Sequence, residues 1–82
     1  MVDDRPQNLS MLDALLTGSG FVVDQALNGE QALERARQNK PDMIISDILM
    51  PGMDGFALCR KVKMDDTLKD VGFVFLHRFL PG

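Results

Sequence analysis

The acids are the residues of this sequence best placed to do chemistry. Asp3 and Asp4 stand together near the start, Asp47 closes the apolar run Met43-Ile44-Ile45, and Asp54 lies beyond the loop Ile48-Leu49-Met50-Pro51-Gly52-Met53. A carboxylate at the end of an apolar run needs a reason. Carboxylates brought to one point repel one another unless a cation intervenes. Mg2+ suits such a cluster, because it is a hard ion that takes oxygen ligands and keeps several waters. A bound Mg2+ also neutralises phosphoryl oxygens. A carboxylate beside it can attack phosphorus and become an aspartyl phosphate.

Whether these acids meet depends on the elements that carry them. Met1-Val2 is a strand at most two residues long, broken by Asp3-Asp4-Arg5-Pro6. Asn8 to Thr17 reads as a helix, with Leu9, Leu12, Leu15 and Leu16 on one face. Gly18-Ser19-Gly20 ends it. Phe21 to Ala26 is short, rich in β-formers and bounded by turn residues, so a strand is expected. Asn28 caps a second helix with Gln31 placed as in a capping box. Ala32, Leu33 and Ala36 form its buried stripe, and Pro41 closes it.

Met43 to Ser46 suits a strand covered on both faces. Asp54 caps a third helix with Phe56, Leu58, Cys59 and Val62 as its apolar positions. Val71 to Leu76 is a fourth apolar strand. The order β-α-β-α-β-α-β indicates βαβ units and a parallel sheet with helices on both faces. In such an open sheet ligands bind beyond the carboxyl ends of the strands. Asp3, Asp4, Asp47 and His77 all follow strands, so one sheet edge should hold them.

The chain has 82 residues, enough for one small domain, taken as residues 1–82. Its composition, 45% hydrophobic and 26% charged, is ordinary for a globular chain. A formal net charge of −3 and no basic cluster argue against a nucleic-acid surface. No apolar stretch approaches the length of a membrane span. The acidic N-terminus is no signal peptide. Cys59, the single cysteine, cannot form an internal disulfide. A cytoplasmic, soluble module is expected.

The stretch Asp47-Ile48-Leu49-Met50-Pro51-Gly52-Met53-Asp54-Gly55, the pair Asp3-Asp4 after Val2, and Asn28-Gly29-Glu30-Gln31-Ala32-Leu33 together resemble the receiver domain of two-component response regulators. The resemblance covers residues 1 to 76 and implies a flavodoxin-like, doubly wound parallel sheet. It implies that Asp47 is the phospho-acceptor and also faces Mg2+. It implies that Asp4 is a direct Mg2+ ligand, that Asp3 assists through water, and that the backbone carbonyl of Leu49 is a further ligand. Pro51 and Gly52 would shape the loop, with Met53 tucked beneath it. The implied partner is a histidine kinase or phosphotransfer domain. The wording around Asp3 and Asp47 is most like receivers of hybrid sensor kinases.

The sequence departs from that family after the fourth strand. His77 stands at the switch position, where the family has Ser or Thr, and Arg78 follows it. The helix, the fifth strand with its Lys, and the last helix are missing, and Lys69 comes too early to replace that Lys. The expectation is a receiver truncated after strand four, with residues 77–82 an atypical tail. The strand order two-one-three-four would leave the fourth strand as an apolar edge, a pairing hazard. Two chains are then expected to bury it, as a homodimer or higher oligomer, by edge pairing or by domain swapping.

Plainer readings stand beside these. Asp3 and Asp4 can be a frayed acidic terminus, Asp54 is a helix cap, Cys59 a small core residue, and His77 and Arg78 part of a tail without function. Three functions compete. One is a phospho-acceptor that at most phosphorylates itself from a phosphodonor and turns over nothing. Another is a degenerate receiver that only self-associates, independently of phosphorylation. The last is an aspartate-based phosphohydrolase, ranked lowest because its second acid would fall on Leu49.

Overall fold

The computed structural model describes residues 1–76. Its elements are α1 (Pro6–Gly18), α2 (Gly29–Gln38), β1 (Met43–Asp47), α3 (Gly55–Met64) and β2 (Gly72–Leu76). The two strands pair in parallel, with Asp47 opposite Leu76. Two single-residue bridges extend this sheet. Val2 pairs in parallel with Ser46 on one side and with Ala26 on the other. The order across the sheet is therefore Ala26, Val2, β1, β2, the two-one-three-four order of a doubly wound fold.

The first two strands are thus corrected to bridges. Val2 donates its N–H to the Ile45 carbonyl at 2.8 Å and accepts from the Asp47 N–H at 2.9 Å. Ala26 donates to the Met1 carbonyl and accepts from the Asp3 N–H. The pairing is parallel, so residues 21–25 lie ahead of Ala26 on the side of Met1, whose ammonium group donates to the Asp24 carbonyl at 2.8 Å. Phe21 and Val22 are exposed.

One face of the sheet is closed by α2 and α3. Ala32, Leu33 and Ala36 of α2 pack with Leu58 and Val62 of α3 over Val2, Ala26 and Ile44. Leu68 and Val71, from the segment between α3 and β2, complete this core. Phe56, expected inside, is exposed and instead meets the Phe75 ring at 4.9 Å. The opposite face carries α1, whose Leu9 and Leu12 border a small cleft with Ile45 and Leu76. Helix α1 begins at Pro6, a residue preorganised for a first helical turn. Its expected apolar stripe is only partly covered: Leu9 is buried, Leu15 is 65% exposed.

The two later helices start as their sequences direct. Asn28 Oδ1 accepts the Gln31 N–H at 2.8 Å, and the Gln31 side chain reaches back to the Leu27 N–H. Asp54 Oδ1 accepts the Ala57 N–H at 2.8 Å. Two ion pairs, Arg37–Asp65 at 2.9 Å and Lys40–Asp70 at 2.7 Å, tie α2 and its exit to the segment before β2. Among the described residues no helix is long and apolar enough to cross a membrane.

Candidate functional site

The site forms because two chain segments end at the same sheet edge. Val2 is the last residue held in the sheet before Asp3, and Asp47 is the last residue of β1. Asp3, Asp4 and Asp47 each offer a carboxylate oxygen, and these oxygens lie within 4.8 Å of one another. Asp3 and Asp47 are both buried, at 4% exposure. His77, the fourth expected member, lies outside the described residues.

Each acid is held differently. Asp3 is held by the chain entering α1: its Oδ1 accepts the Arg5 N–H at 2.9 Å and its Oδ2 accepts from Asn8 Nδ2 at 3.4 Å. Asp4 is less engaged. Its Oδ1 is shielded from solvent and has no hydrogen-bond partner among the described residues. A buried carboxylate oxygen without a partner loses its hydration and gains nothing in return.

Asp47 is fixed through its backbone. Its N–H is taken by Val2, and its carbonyl accepts from the fully buried Ser46 hydroxyl at 2.8 Å. Gly55 lies against the same carbonyl. A Cβ at Gly55 would fall inside contact distance of the Asp47 oxygen and 3.0 Å from Ile48 Cα. Gly55 also donates its N–H to the Ile48 carbonyl at 2.8 Å. The first residue of α3 is therefore built directly onto the end of β1.

The loop between them is tightly specified. Gly52 has φ +75, a left-handed conformation that other residues adopt at a cost. The next side chain, Met53, turns inward and packs against the core, while Leu49 points outward at 75% exposure. Ser46 and Gly55 went unread as site residues. A serine beside an acid and a glycine after a cap are too common to signal a close approach.

An all-oxygen cluster of three carboxylates, one of them with an unpartnered buried oxygen, fits a hard divalent cation. The fold and site define an open parallel α/β domain with an acidic cradle at the carboxyl edge of its sheet. The response regulator receiver domain family matches residues 1–77, and the chain belongs to that family, the receiver of two-component signal transduction.

Relatives agree. The chain is 42% identical over 76 residues to response regulator PleD of Caulobacter vibrioides, covering 93% of this chain and 17% of that protein. It superposes with a TM-score of 0.88 on the signal receiver domain of a signal transduction histidine kinase from Syntrophus aciditrophicus, at 35% identity. That match covers 98% of this chain and 61% of the other. The N-terminal domain of a response regulator receiver protein from Methanoculleus marisnigri gives 0.88 at 30% identity, covering 90% of this chain and 60% of that one. The chain thus spans less than two thirds of the proteins it matches.

Proposed function

We propose that the chain, acting as one domain over residues 1–82, accepts a phosphoryl group on Asp47 from a phosphohistidine of a histidine kinase or phosphotransfer domain. The observation that carries this reading is the clustering of the Asp3, Asp4 and Asp47 carboxylate oxygens, together with a buried Asp4 oxygen that has no partner among the described residues. Asp4 and Asp47 would hold Mg2+ directly, Asp3 through water because its oxygens already accept from the Arg5 N–H and Asn8 Nδ2, and the Leu49 carbonyl would complete the protein ligands. Bound there, Mg2+ supplies charge neutralisation for the phosphoryl oxygens.

The protein's part in the transfer is positional. Asp47, anchored by Val2, Ser46 and Gly55, presents a carboxylate oxygen in line with the phosphorus. A new P–O bond forms to Asp47 as the P–N bond of the donor breaks. The donor imidazole leaves with the electron pair and takes up a proton. Its family membership and its lack of a long apolar helix among the described residues favour a cytoplasmic setting. Its net charge of −3 favours a protein partner over nucleic acid.

The test uses a small phosphoramidate donor. With Mg2+, intact mass should show one added phosphoryl group per chain, and none with EDTA or in Asp47→Asn. A folded wild-type chain that gains no adduct would remove this reading.

A second reading rests on β2. Val74, Phe75 and Leu76 are exposed, and among the described residues β2 pairs only with β1. Self-association through this edge, as a homodimer or larger, would proceed without phosphorylation. Light scattering decides it: a monodisperse monomer at high concentration, with or without phosphodonor, excludes it.

A further inference from the structure

Gly29 opens α2, where alanine is the better helix former. Its backbone gives no reason for glycine, since the positive φ values among the described glycines belong to Gly20 and Gly52. The reason is a neighbour. A Cβ on Gly29 would lie 2.6 Å from Met53 Sδ, 3.0 Å from its Cγ and 3.2 Å from its Cβ. The hard clash is with Sδ, and the Cγ and Cβ distances are tighter than ordinary contact, so moving the thioether alone would still leave the base of the side chain to give by a few tenths of an ångström. Met53 therefore lies across the bare Cα of Gly29.

This contact fixes the loop after Asp47 together with the buried Met50 side chain and two anchors at its far end. Those anchors, Gly55 N–H to the Ile48 carbonyl and the Asp54 cap, both belong to the start of α3. The Met53 contact ties the loop to α2. Leu49 lies within the segment so held. Mg2+ demands near-ideal ligand geometry, so a loop displaced by a fraction of an ångström would bind it less well.

We propose that Gly29 is a positioning residue for the acidic site, acting through Met53 to hold the Leu49–Asp54 loop in register with Asp3, Asp4 and Asp47. It touches neither cation nor phosphoryl group. The metal half of this inference rests on the Mg2+ reading above; the loop half does not.

The experiment compares wild type, Gly29→Ala, Met53→Ala and the double variant of the 82-residue chain. Amide hydrogen exchange over residues 48–54, Mg2+ titration and urea unfolding are the readouts. Gly29→Ala should remain folded, exchange faster in the loop, and bind Mg2+ about tenfold more weakly, the size typical of lost support for a ligand. Met53→Ala should do the same. The double variant should be no worse than Met53→Ala, because Gly29 has nothing to accommodate once the side chain is gone.

Unchanged loop exchange in Gly29→Ala, or penalties that multiply in the double variant, would overturn the proposal. A wild-type chain that ignores Mg2+ would remove the metal reading, and loop exchange alone would then decide between the same two outcomes. If Gly29→Ala fails to fold, a folded double variant supports the contact and an unfolded one overturns it.

Discussion

Asp4→Ala is expected to stabilise the metal-free chain and to abolish its response to Mg2+. The Oδ1 atom of Asp4 is buried without a partner, and its removal should return about 1–3 kcal/mol of desolvation. Removing Asp4 also deletes its repulsion with Asp3 and with Asp47. At 4.8 Å each pair costs about 1 kcal/mol in water and about 3.5 kcal/mol at an effective dielectric of 20. Asp4 is partly exposed, so the lower figure governs. Against this, an acid just ahead of α1 favours the helix start by about 0.5 kcal/mol. The net gain should be about 3 kcal/mol.

With a urea slope of about 1 kcal/mol per molar for so short a chain, the midpoint in EDTA should rise by about 3 M. Wild type should recover most of that difference when Mg2+ is added. Saturation at a hundredfold the dissociation constant stabilises by about 2.7 kcal/mol. Asp4→Ala should gain almost nothing from Mg2+. A lower midpoint for Asp4→Ala in EDTA, or a Mg2+ gain equal to wild type, would refute the reasoning.

Three further outcomes follow from the packing and the charges. Gly55→Ala forces a Cβ against the Asp47 carbonyl and should cost about 1–3 kcal/mol in urea unfolding, with phosphorylation falling further than stability. Leu58→Ala empties a position with no solvent exposure and should cost about 2–5 kcal/mol; circular dichroism should show a largely unfolded chain. Asp65 is held at a pKa of about 2 by the Thr67 hydroxyl first, then by Arg37 and the Thr67 N–H. Its folded pKa lies below its usual 3.8, so its contribution is complete above that pH and is lost as pH falls toward about 2. Asp65→Asn should flatten that part of the acid unfolding curve.

What could be read beforehand followed local chemistry. Asn28 with Gln31, Asp54 as a cap, and the apolar run ending in Asp47 each announce themselves within a few residues, and the structure carries all three. Failures came where the answer lay elsewhere in the chain. Phe21-Val22-Val23 has the composition of a strand, but a ladder is only as long as its shorter partner, and that partner is Val2 alone. Leu15 has the right helical spacing, yet periodicity marks a stripe without saying what covers it. Leu68 is buried although a single leucine in a polar stretch has no period to reveal it.

At the site the acids were legible and their supports were not. Asp3, Asp4 and Asp47 were expected at one edge because strands end there, and the structure brings their oxygens together. The bare Cα atoms of Gly29 and Gly55 depend on approaches between segments that no local pattern encodes. Met53 was expected under its loop; its seat on α2 was not.

The most direct test of the central claim is a peptide map of the chain after reaction with a phosphoramidate donor and Mg2+. The phosphoryl group should sit on Asp47 alone, and the signal should vanish in Asp47→Asn. An adduct on Asp3, Asp4 or Asp54, or one of equal yield in Asp47→Asn, would contradict the account.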